Sequence, residues 1–165
     1  MHHVKAFPRI PNRPYSGILT YCKSINSLKL RSGAASWKGE LENILKPSGF
    51  YALFHSNETN HWIEFDFDCK VVKLLSYEIQ SINDSYYSRY YPISWKMVGS
   101  NDRNEWDELD VRTNCRELQE GNRDAYFVCN LQSTKYYRYI RFLQTEGANN
   151  SCLGVSRFEL YGNVF

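Results

Sequence analysis

Segment 84–91 (Asp-Ser-Tyr-Tyr-Ser-Arg-Tyr-Tyr) concentrates side chains suited to recognising a ligand, with four tyrosines and one arginine in eight residues. A tyrosine offers a flat apolar ring and a hydroxyl, which suit stacking on a sugar or anchoring a protein partner. Arginine adds a planar set of donors for hydroxyls, carboxylates or phosphates. The candidate ligand-binding residues are Tyr86, Tyr87, Arg89 and Tyr90. We expect the first three to be exposed and Tyr91 to be buried. Packing of both Tyr90 and Tyr91 beneath the loop is the alternative.

Two polar loops supply further candidates for binding. One precedes the strand that begins at Trp62, and the other spans residues 147–151. Asparagine amides pair well with sugar hydroxyls, although they are also ordinary turn residues, and a polar loop is often only solvated. The candidates in these loops are Asn57, Asn60, His61, Asn149 and Asn150.

The sequence contains no arrangement of residues that identifies a catalytic site. Asp102, Asp107 and Asp110 lie close together, but acid–base catalysis needs two carboxylates held in different environments. Their positions favour turn hydrogen bonds and solvation, because they fall in a turn and on the polar face of a strand. Motifs for an activated nucleophile or a phosphate loop are absent, and nothing selects Cys152 as a nucleophile. We therefore expect no catalytic residues and a protein that is not an enzyme.

The cysteine and histidine patterns give no reason to expect a metal or cofactor. The five cysteines include no CxxC pair, and the four histidines have no zinc-type spacing. Cys69 and Cys129 adjoin apolar runs, where a free thiol acts as a small hydrophobic side chain. The start of the sequence has no apolar leader, and no stretch is long enough to span a membrane. Together these features predict a reduced, cytoplasmic protein.

The elements that must position these residues are mostly strands. Aromatic residues make up 16% of the 165 residues, which favours pleated sheets. The net charge of +2 gives no indication of the strongly basic surface that binds nucleic acid, nor of a polybasic patch that binds membranes. Residues 1–16 contain three prolines and predict an extended lead-in, followed by one domain over 17–165.

Periodicity predicts one short helix among many strands. Residues 17–22 indicate a first strand, and residues 37–45 indicate a short helix capped by Ser36. From residue 50 onward the apolar period is two, which is typical of a sandwich or barrel. We expect Trp95 and Trp106, on either side of a tight turn, both to face the core. The predicted strands are 50–54, 62–67, 71–80, 95–100, 106–112, 125–130, 137–144 and 157–162.

Four ordered blocks resemble the discoidin domains, also called the coagulation factor five/eight C-type (F5/8 type C) domains, and most closely their intracellular protist branch. The blocks are Trp62–Phe67 with Val71–Val72 and Leu75–Ile79, Ser94–Asp102 followed by Trp106–Asp110, Tyr137–Phe142 and Phe158–Gly162. The resemblance covers about residues 50–165. It implies an all-β, galactose-binding-domain-like jelly-roll sandwich, here preceded by the short helical segment. It also implies non-catalytic binding of sugars, phospholipid headgroups or proteins through loops at one end.

The sequence departs from that family pattern in two places. It lacks the terminal cysteine pair of secreted members, and it lacks the Asp-Gly loop near which many sugar-binding members hold calcium. Glu159 matches an acidic position that can bind calcium in the family, but calcium needs six or more oxygens. The resemblance therefore leaves calcium unsupported.

The expected function is non-catalytic recognition of a carbohydrate or protein ligand through loops at one end of the sandwich. A protein–protein interaction or adaptor domain of a larger protein is the alternative, and phospholipid headgroup binding is a second one. The lipid alternative ranks last, because the loops are polar and rich in tyrosine.

Overall fold

The computed structural model describes residues 3–47, 49–57, 61–119, 124–131 and 133–165. Within these residues, one α-helix, α1 (Ile18–Ser24), and two 3-10 turns (Leu41–Leu45 and Tyr87–Arg89) accompany the strands. In chain order the strands are β1 (Lys5–Phe7), β2 (Lys29–Ser32), β3 (Ser36–Lys38), β4 (Ala52–His55), β5 (Trp62–Asp66), β6 (Val72–Gln80), β7 (Pro92–Ser100), β8 (Asp107–Arg112), β9 (Asp124–Val128), β10 (Tyr139–Gly147), β11 (Cys152–Val155) and β12 (Arg157–Val164).

The strands form two main antiparallel sheets that pack face to face. One sheet has the order β1-β12-β6-β9, and the other has the order β2-β5-β10-β7-β8. Aromatic rings from the two sheets interlock between them. Trp95 on β7 lies 5.2 Å from Phe127 on β9, and Phe142 on β10 lies 5.5 Å from Phe158 on β12. The architecture is therefore a β-sandwich, as the period-two pattern predicts.

A third, three-stranded sheet in the order β11-β4-β3 lies at one end of the sandwich. It has a small core of its own, in which Leu53 and Cys152 pack against Ile82 and Tyr90. Ile82 and Tyr90 belong to the connection between β6 and β7. The third sheet and the tyrosine-rich loop are thus held together by shared packing.

The first fifty residues differ from the prediction: a helix forms where a strand was predicted, and a strand forms where a helix was predicted. Residues 18–22 form most of α1 rather than a strand, with Ile18, Leu19 and Cys22 buried on one helical face. Gly17 permits this close packing, since a Cβ there would lie 2.3 Å from the backbone oxygen of Leu160. Sequence reasoning took the short apolar run Gly17–Cys22 as a strand, although its buried residues have helical spacing.

The helix predicted over residues 37–45 is reduced to the 3-10 turn Leu41–Leu45, and Ser36 belongs to β3 rather than capping a helix. Gly39 explains the break. It has a φ of +71°, and a Cβ at this position would lie 2.1 Å from the backbone oxygen of Tyr51. A left-handed residue ends any helix that would begin before it. Trp37 is consequently left on a strand, with 48% of its surface exposed.

Sequence reasoning identified most later strands but missed the shortest ones. Strands β4 to β10 and β12 all overlap predicted strands, although β7 begins three residues earlier than expected. Strands β1, β2, β3 and β11 were not predicted. Each has only three or four residues, too few for a period to emerge.

The hairpin between β7 and β8 corrects two predictions. Trp95 is fully buried, whereas Trp106 is half-buried outside the core, with the Arg141 guanidinium 4.3 Å from its ring centre. Asp110 is fully buried rather than on a polar face. A register shift pairs Met97 with Asp110 and Val98 with Glu108. Such a bulge shifts the side-chain alternation by one residue, which the period-two pattern cannot anticipate.

Candidate functional site

An aromatic cluster covers the end of the sandwich where β3, β4 and the loop before β7 meet. The Trp37 ring lies 5.9 Å from His55 and 6.2 Å from Tyr87. Tyr87 in turn lies 5.0 Å from Tyr86 and 5.8 Å from Tyr51. We call this cluster, together with the neighbouring Arg89, the aromatic patch; its members are Trp37, Tyr51, His55, Tyr86, Tyr87 and Arg89.

The loop that carries the tyrosines is fixed by its own hydrogen bonds. The Asp84 carboxylate accepts from the backbone N–H groups of Tyr86, at 2.9 Å, and Tyr87, at 3.0 Å. The backbone N–H of Ser88 donates to the Asp84 carbonyl at 2.9 Å, and the 3-10 turn Tyr87–Arg89 follows. Aspartate commonly stabilises such turns by mimicking a backbone acceptor. The rings are therefore presented by an ordered turn.

The structure separates the predicted members of this loop by exposure. Tyr86 is 55% exposed and Arg89 is exposed, with its guanidinium 4.0 Å from the centre of the Tyr86 ring. Tyr87 is half-buried. Tyr90 is only 8% exposed and packs in the small core, so its ring supports the patch from below instead of facing a ligand. Tyr91 is half-buried, where burial was expected.

Three members of the aromatic patch, Trp37, Tyr51 and His55, are not among the candidate residues named from the sequence, and Trp37 was assigned to the apolar face of a helix. Trp37 shows why. It lies on β3, which pairs with β4 and so brings Trp37 beside His55. The signal was present in the flanking sequence. Trp37 stands between two polar residues, and Gly33 and Gly39 bracket a segment too short for a stable helix. An open groove of about 450 Å³ lies along Trp37, lined by Ala35, Ser36, Trp37 and His55.

The second predicted polar loop lies at the same end. The backbone N–H of Ala148 donates to the Tyr91 carbonyl at 3.0 Å, and that of Ser56 donates to the Ser151 carbonyl at 3.0 Å. Asn149 and Asn150 use their side-chain oxygens to hold the turn, accepting from Ser151 N–H and Gly147 N–H. Both asparagines remain exposed at this edge of the site.

The remaining candidate ligand-binding residues predicted from sequence are Asn57, His61 and Asn60. Asn57 is exposed, whereas His61 is buried and lines a groove of about 610 Å³ beside the 147–151 turn. Burial, together with the neighbouring charge of His55, lowers the pKa of His61 below its usual value, so the ring is neutral near pH 7. Asn60 lies outside the described residues.

The carboxylates considered for catalysis are each engaged elsewhere. Asp102 accepts backbone hydrogen bonds from Asn104 and Glu105, which lower its pKa and close the turn after β7. Asp107 accepts from the Tyr137 hydroxyl at 2.7 Å. Asp110 is held by the Arg112 guanidinium at 2.9 Å. These contacts assign all three to structural roles.

Glu159 is buried at the start of α1. Its carboxylate accepts hydrogen bonds from the backbone N–H groups of Leu19, at 2.7 Å, and Leu160, at 2.8 Å, and from the Thr20 hydroxyl at 2.7 Å. Burial raises its pKa above the usual value. Its role in this structure is to satisfy the free N–H groups of the helix. Within the described part of the chain, no three His, Cys, Asp or Glu side chains are grouped as a metal site.

All five cysteines are free thiols, and the exposed one, Cys69, differs from the apolar packing expected for it. Burial raises the pKa of Cys129 to about 12. Burial also raises the pKa of Cys152, and a thiol held protonated in this way is a poor nucleophile. In the described residues, no helix is both long enough and apolar enough to cross a membrane.

Comparison with known proteins finds similarity of fold alone. No protein-family model and no curated protein matches the sequence. Many solved structures match the fold. One is CBM32-1 from a family 31 glycoside hydrolase of Clostridium perfringens, with a TM-score of 0.65 and 11% identity over 90% of this chain and 99% of that one.

Two further matches come from the same organism. CpGH89CBM32-5, solved in complex with GalNAc-β-1,3-galactose, has a TM-score of 0.60 and 11% identity over 85% of this chain and 96% of that one. A family 89 glycoside hydrolase has a TM-score of 0.60 and 12% identity over 82% of this chain, which spans only 14% of that longer protein. These likenesses confirm the predicted fold class: the chain is a jelly-roll β-sandwich of the galactose-binding-domain-like fold.

Proposed function

We propose that this protein is a non-catalytic carbohydrate-binding domain whose ligand stacks on the aromatic patch. One observation carries the proposal: the exposed rings of Trp37 and Tyr86 belong to a single contacting cluster, with a guanidinium held against Tyr86. Sugar rings have apolar C–H faces and a rim of hydroxyls. An aromatic face beside planar N–H donors matches both parts of such a ligand.

The shape of the site supports the same ligand class. The groove along Trp37 is open and shallow, and its lining combines an indole, an imidazole and a hydroxyl. Such a surface can hold one face of a sugar ring while leaving the rest of a glycan in solvent. The glycan-bound module CpGH89CBM32-5, which shares this fold, supports the proposal by analogy. We also propose that the chain is a divergent member of the discoidin family, on its four sequence blocks and its fold.

Free thiols at all five cysteines support a reducing, cytoplasmic location as part of the proposal. A protein partner would also use exposed aromatic residues, so protein binding is an outcome that the experiment must separate from glycan binding. A lipid surface is less favoured, because the described tips of these loops carry asparagine, serine and tyrosine instead of aliphatic side chains.

The test is a glycan array covering neutral, acidic and amino sugars, followed by calorimetric titration with the strongest glycan. Trp37→Ala and Tyr86→Ala should each weaken binding by roughly 30-fold, because each removes about 2 kcal/mol of aromatic contact. Tyr126→Ala is the matched control, since this exposed tyrosine lies on β9 of the first sheet. Its affinity should be unchanged. An array without signal, together with a protein that co-purifies through Trp37 and Tyr86, would overturn the proposal.

A further inference from the structure

The outer face of the second sheet carries a layer of arginines over buried carboxylates. On this face Arg31 of β2, Glu64 of β5 and Arg141 of β10 stand side by side in the strand register. The Glu64 side chain is fully buried, whereas the side chains of Arg31 and Arg141 are 50% and 20% exposed. The carboxylate therefore lies beneath the guanidinium groups, and the accessible layer is positive.

Arg103 and Arg138 extend this layer from the loops that follow β7 and precede β10. Arg103 lies 2.8 Å from the Glu64 carboxylate and 3.5 Å from that of Asp66. Arg138 lies 3.0 Å from Asp66, which is also buried. Both arginines remain partly exposed. Shared carboxylates thus join them to the arginines of the sheet in one continuous surface.

The charges joined by these contacts do not balance. Asp68 completes the set, since it lies 3.8 Å from Arg138 and 3.5 Å from Lys29. We call the set the arginine face; its members are Lys29, Arg31, Arg103, Arg138 and Arg141 with Glu64, Asp66 and Asp68. Five cations against three carboxylates leave an excess of two positive charges. The whole sequence has a net charge of +2, so this one face accounts for all of it.

Aromatic rings hold the guanidinium groups in place. Arg141 lies between Trp62 and Trp106, with its guanidinium carbon 3.9 Å and 4.3 Å from the two ring centres. Arg103 lies 4.1 Å from the ring centre of Tyr139. Cations held in this way lose little conformational freedom on binding, which favours affinity. Both tryptophans are only half-buried, so the centre of the face also offers apolar surface.

The guanidinium groups keep hydrogen-bond donors for a partner. Each guanidinium has five N–H donors. Within the described residues, the Arg141 guanidinium donates only from Nε, to Glu64 at 2.8 Å. The more exposed Arg31 has its Nη1 3.6 Å from Glu64, which is an ion pair without a hydrogen bond. A carboxylate can accept two guanidinium donors at once, so the face is complementary to an acidic partner.

We propose that the arginine face is a docking surface for an acidic segment of another protein. Its composition supports a protein partner, because tryptophan and arginine are enriched at the centres of protein–protein interfaces. The outer face of a sheet is also broad, whereas small ligands bind in concave sites. An excess of two charges is small for a surface that binds nucleic acid. The proposal is independent of the proposed function, whose ligand stacks on the aromatic patch.

The test titrates two ten-residue peptides into the whole protein at pH 7, one alternating glutamate with glycine and the other glutamine with glycine. The acidic peptide should bind in about 20 mM sodium chloride and bind at least about tenfold more weakly in about 300 mM, because salt screens exposed charges. The neutral peptide should not bind. Absence of binding by the acidic peptide at low salt would overturn the proposal.

A double variant, Lys29→Gln with Arg31→Gln, removes the excess charge of the face. Both residues are exposed on the edge strand β2, and Glu64 keeps its two closest arginines. The acidic peptide should bind this variant at least about tenfold more weakly. The matched control is Lys23→Gln with Arg116→Gln, an equal change in charge at exposed positions on α1 and after β8. Equal affinities for the two double variants would overturn the docking surface.

Indole N–H signals in NMR spectra locate the peptide and separate this proposal from glycan binding. Saturable shifts at Trp62 and Trp106, with none at Trp37, would support the arginine face. Trp37→Ala should leave peptide binding unchanged; its loss in that variant would overturn the docking surface without affecting the proposed function. Binding of a sulfated dextran oligosaccharide, with none of the acidic peptide, would overturn the choice of a protein partner.

Discussion

His61 is a buried, neutral histidine, and its environment has a consequence for stability. Burial is the main cause of its lowered pKa. In the unfolded chain its pKa returns to about 6.5. Between those two values the unfolded state binds the proton more readily than the folded state, so folding is penalised as the pH falls.

The corresponding prediction concerns the pH dependence of unfolding. From pH 7.5 down through the folded pKa of His61, the free energy of unfolding should decrease in the native protein, measured by urea titration. His61→Phe should show a smaller decrease over this range, while His3→Gln, altered at an exposed site before β1, should retain the native slope. Identical slopes for the native protein and His61→Phe would contradict the assignment of this histidine.

At the scale of single residues, the sequence was informative where composition is unusual. The tyrosines and arginine of segment 84–91 predict a binding loop. Tyr86 and Arg89 are exposed as expected, whereas Tyr87 is half-buried. Trp37 could not be recognised in the same way, because its exposure depends on the pairing of β3 with β4 across the chain. The burial of Tyr90 likewise depends on distant residues, Leu53 and Cys152.

At the scale of elements, the turn between β7 and β8 folds over the outer face of the second sheet. Its Arg103 lies 2.8 Å from Glu64 on β5, and Arg141 on β10 reaches the same carboxylate at 2.8 Å. Arg141 is also stacked between two indoles, at 3.9 Å from the Trp62 ring centre and 4.3 Å from that of Trp106. Glu64 is fully buried, and these two arginines contact its carboxylate.

We predict that Arg141→Leu lowers the free energy of unfolding by about 3 kcal/mol, because it removes a partner from a buried carboxylate. A double-mutant cycle with Glu64→Leu should recover part of this loss. Urea denaturation is the measurement. Lys96→Leu is the control, since the Lys96–Glu108 ion pair is exposed and should contribute less than about 1 kcal/mol. Equal losses for Arg141→Leu and Lys96→Leu would refute this description of the sheet face.

Secondary-structure elements were predicted correctly where the apolar alternation continues over many residues. They were predicted wrongly where tertiary contacts decide the conformation of a short segment. Strands such as β6, β7 and β12 have eight or nine residues and show their alternation clearly. The run in α1 is as short as a strand, and its conformation depends on Glu159, 140 positions from Leu19 in sequence, satisfying the helix N–H groups. A single sequence does not reveal such a long-range cap.

At the scale of the whole molecule, the proline-rich start is integrated into the sandwich. Strand β1 pairs with β12, and Arg9 lies 2.9 Å from the buried carboxylate of Glu78. The Tyr15 hydroxyl donates to Asp124 at 2.6 Å, and its backbone N–H donates to the Tyr161 hydroxyl at 3.0 Å. The segment that prolines mark as extended therefore ties the first sheet together.

Deleting residues 1–13 should lower the free energy of unfolding by roughly 2–3 kcal/mol, because it removes β1 and leaves Glu78 without its arginine. Tyr161 still donates to Glu78 at 2.6 Å, which limits the loss. Thermal and urea unfolding provide the measurement, and Lys5→Ala serves as a control that keeps β1 and Arg9. A truncated protein as stable as the full chain would show that this segment is not part of the folded unit.

The proposed function requires a glycan to stack on Trp37 at one end of the sandwich. The most direct measurement is an NMR titration with the strongest glycan from the array, following the indole N–H signals of all four tryptophans. Trp95 is in the core, and Trp62 and Trp106 flank Arg141 on the outer face of the second sheet, so these three serve as internal controls. We predict that the Trp37 signal shifts in a saturable manner while the other three remain unchanged. A saturable shift at Trp62 or Trp106 with none at Trp37 would contradict the account.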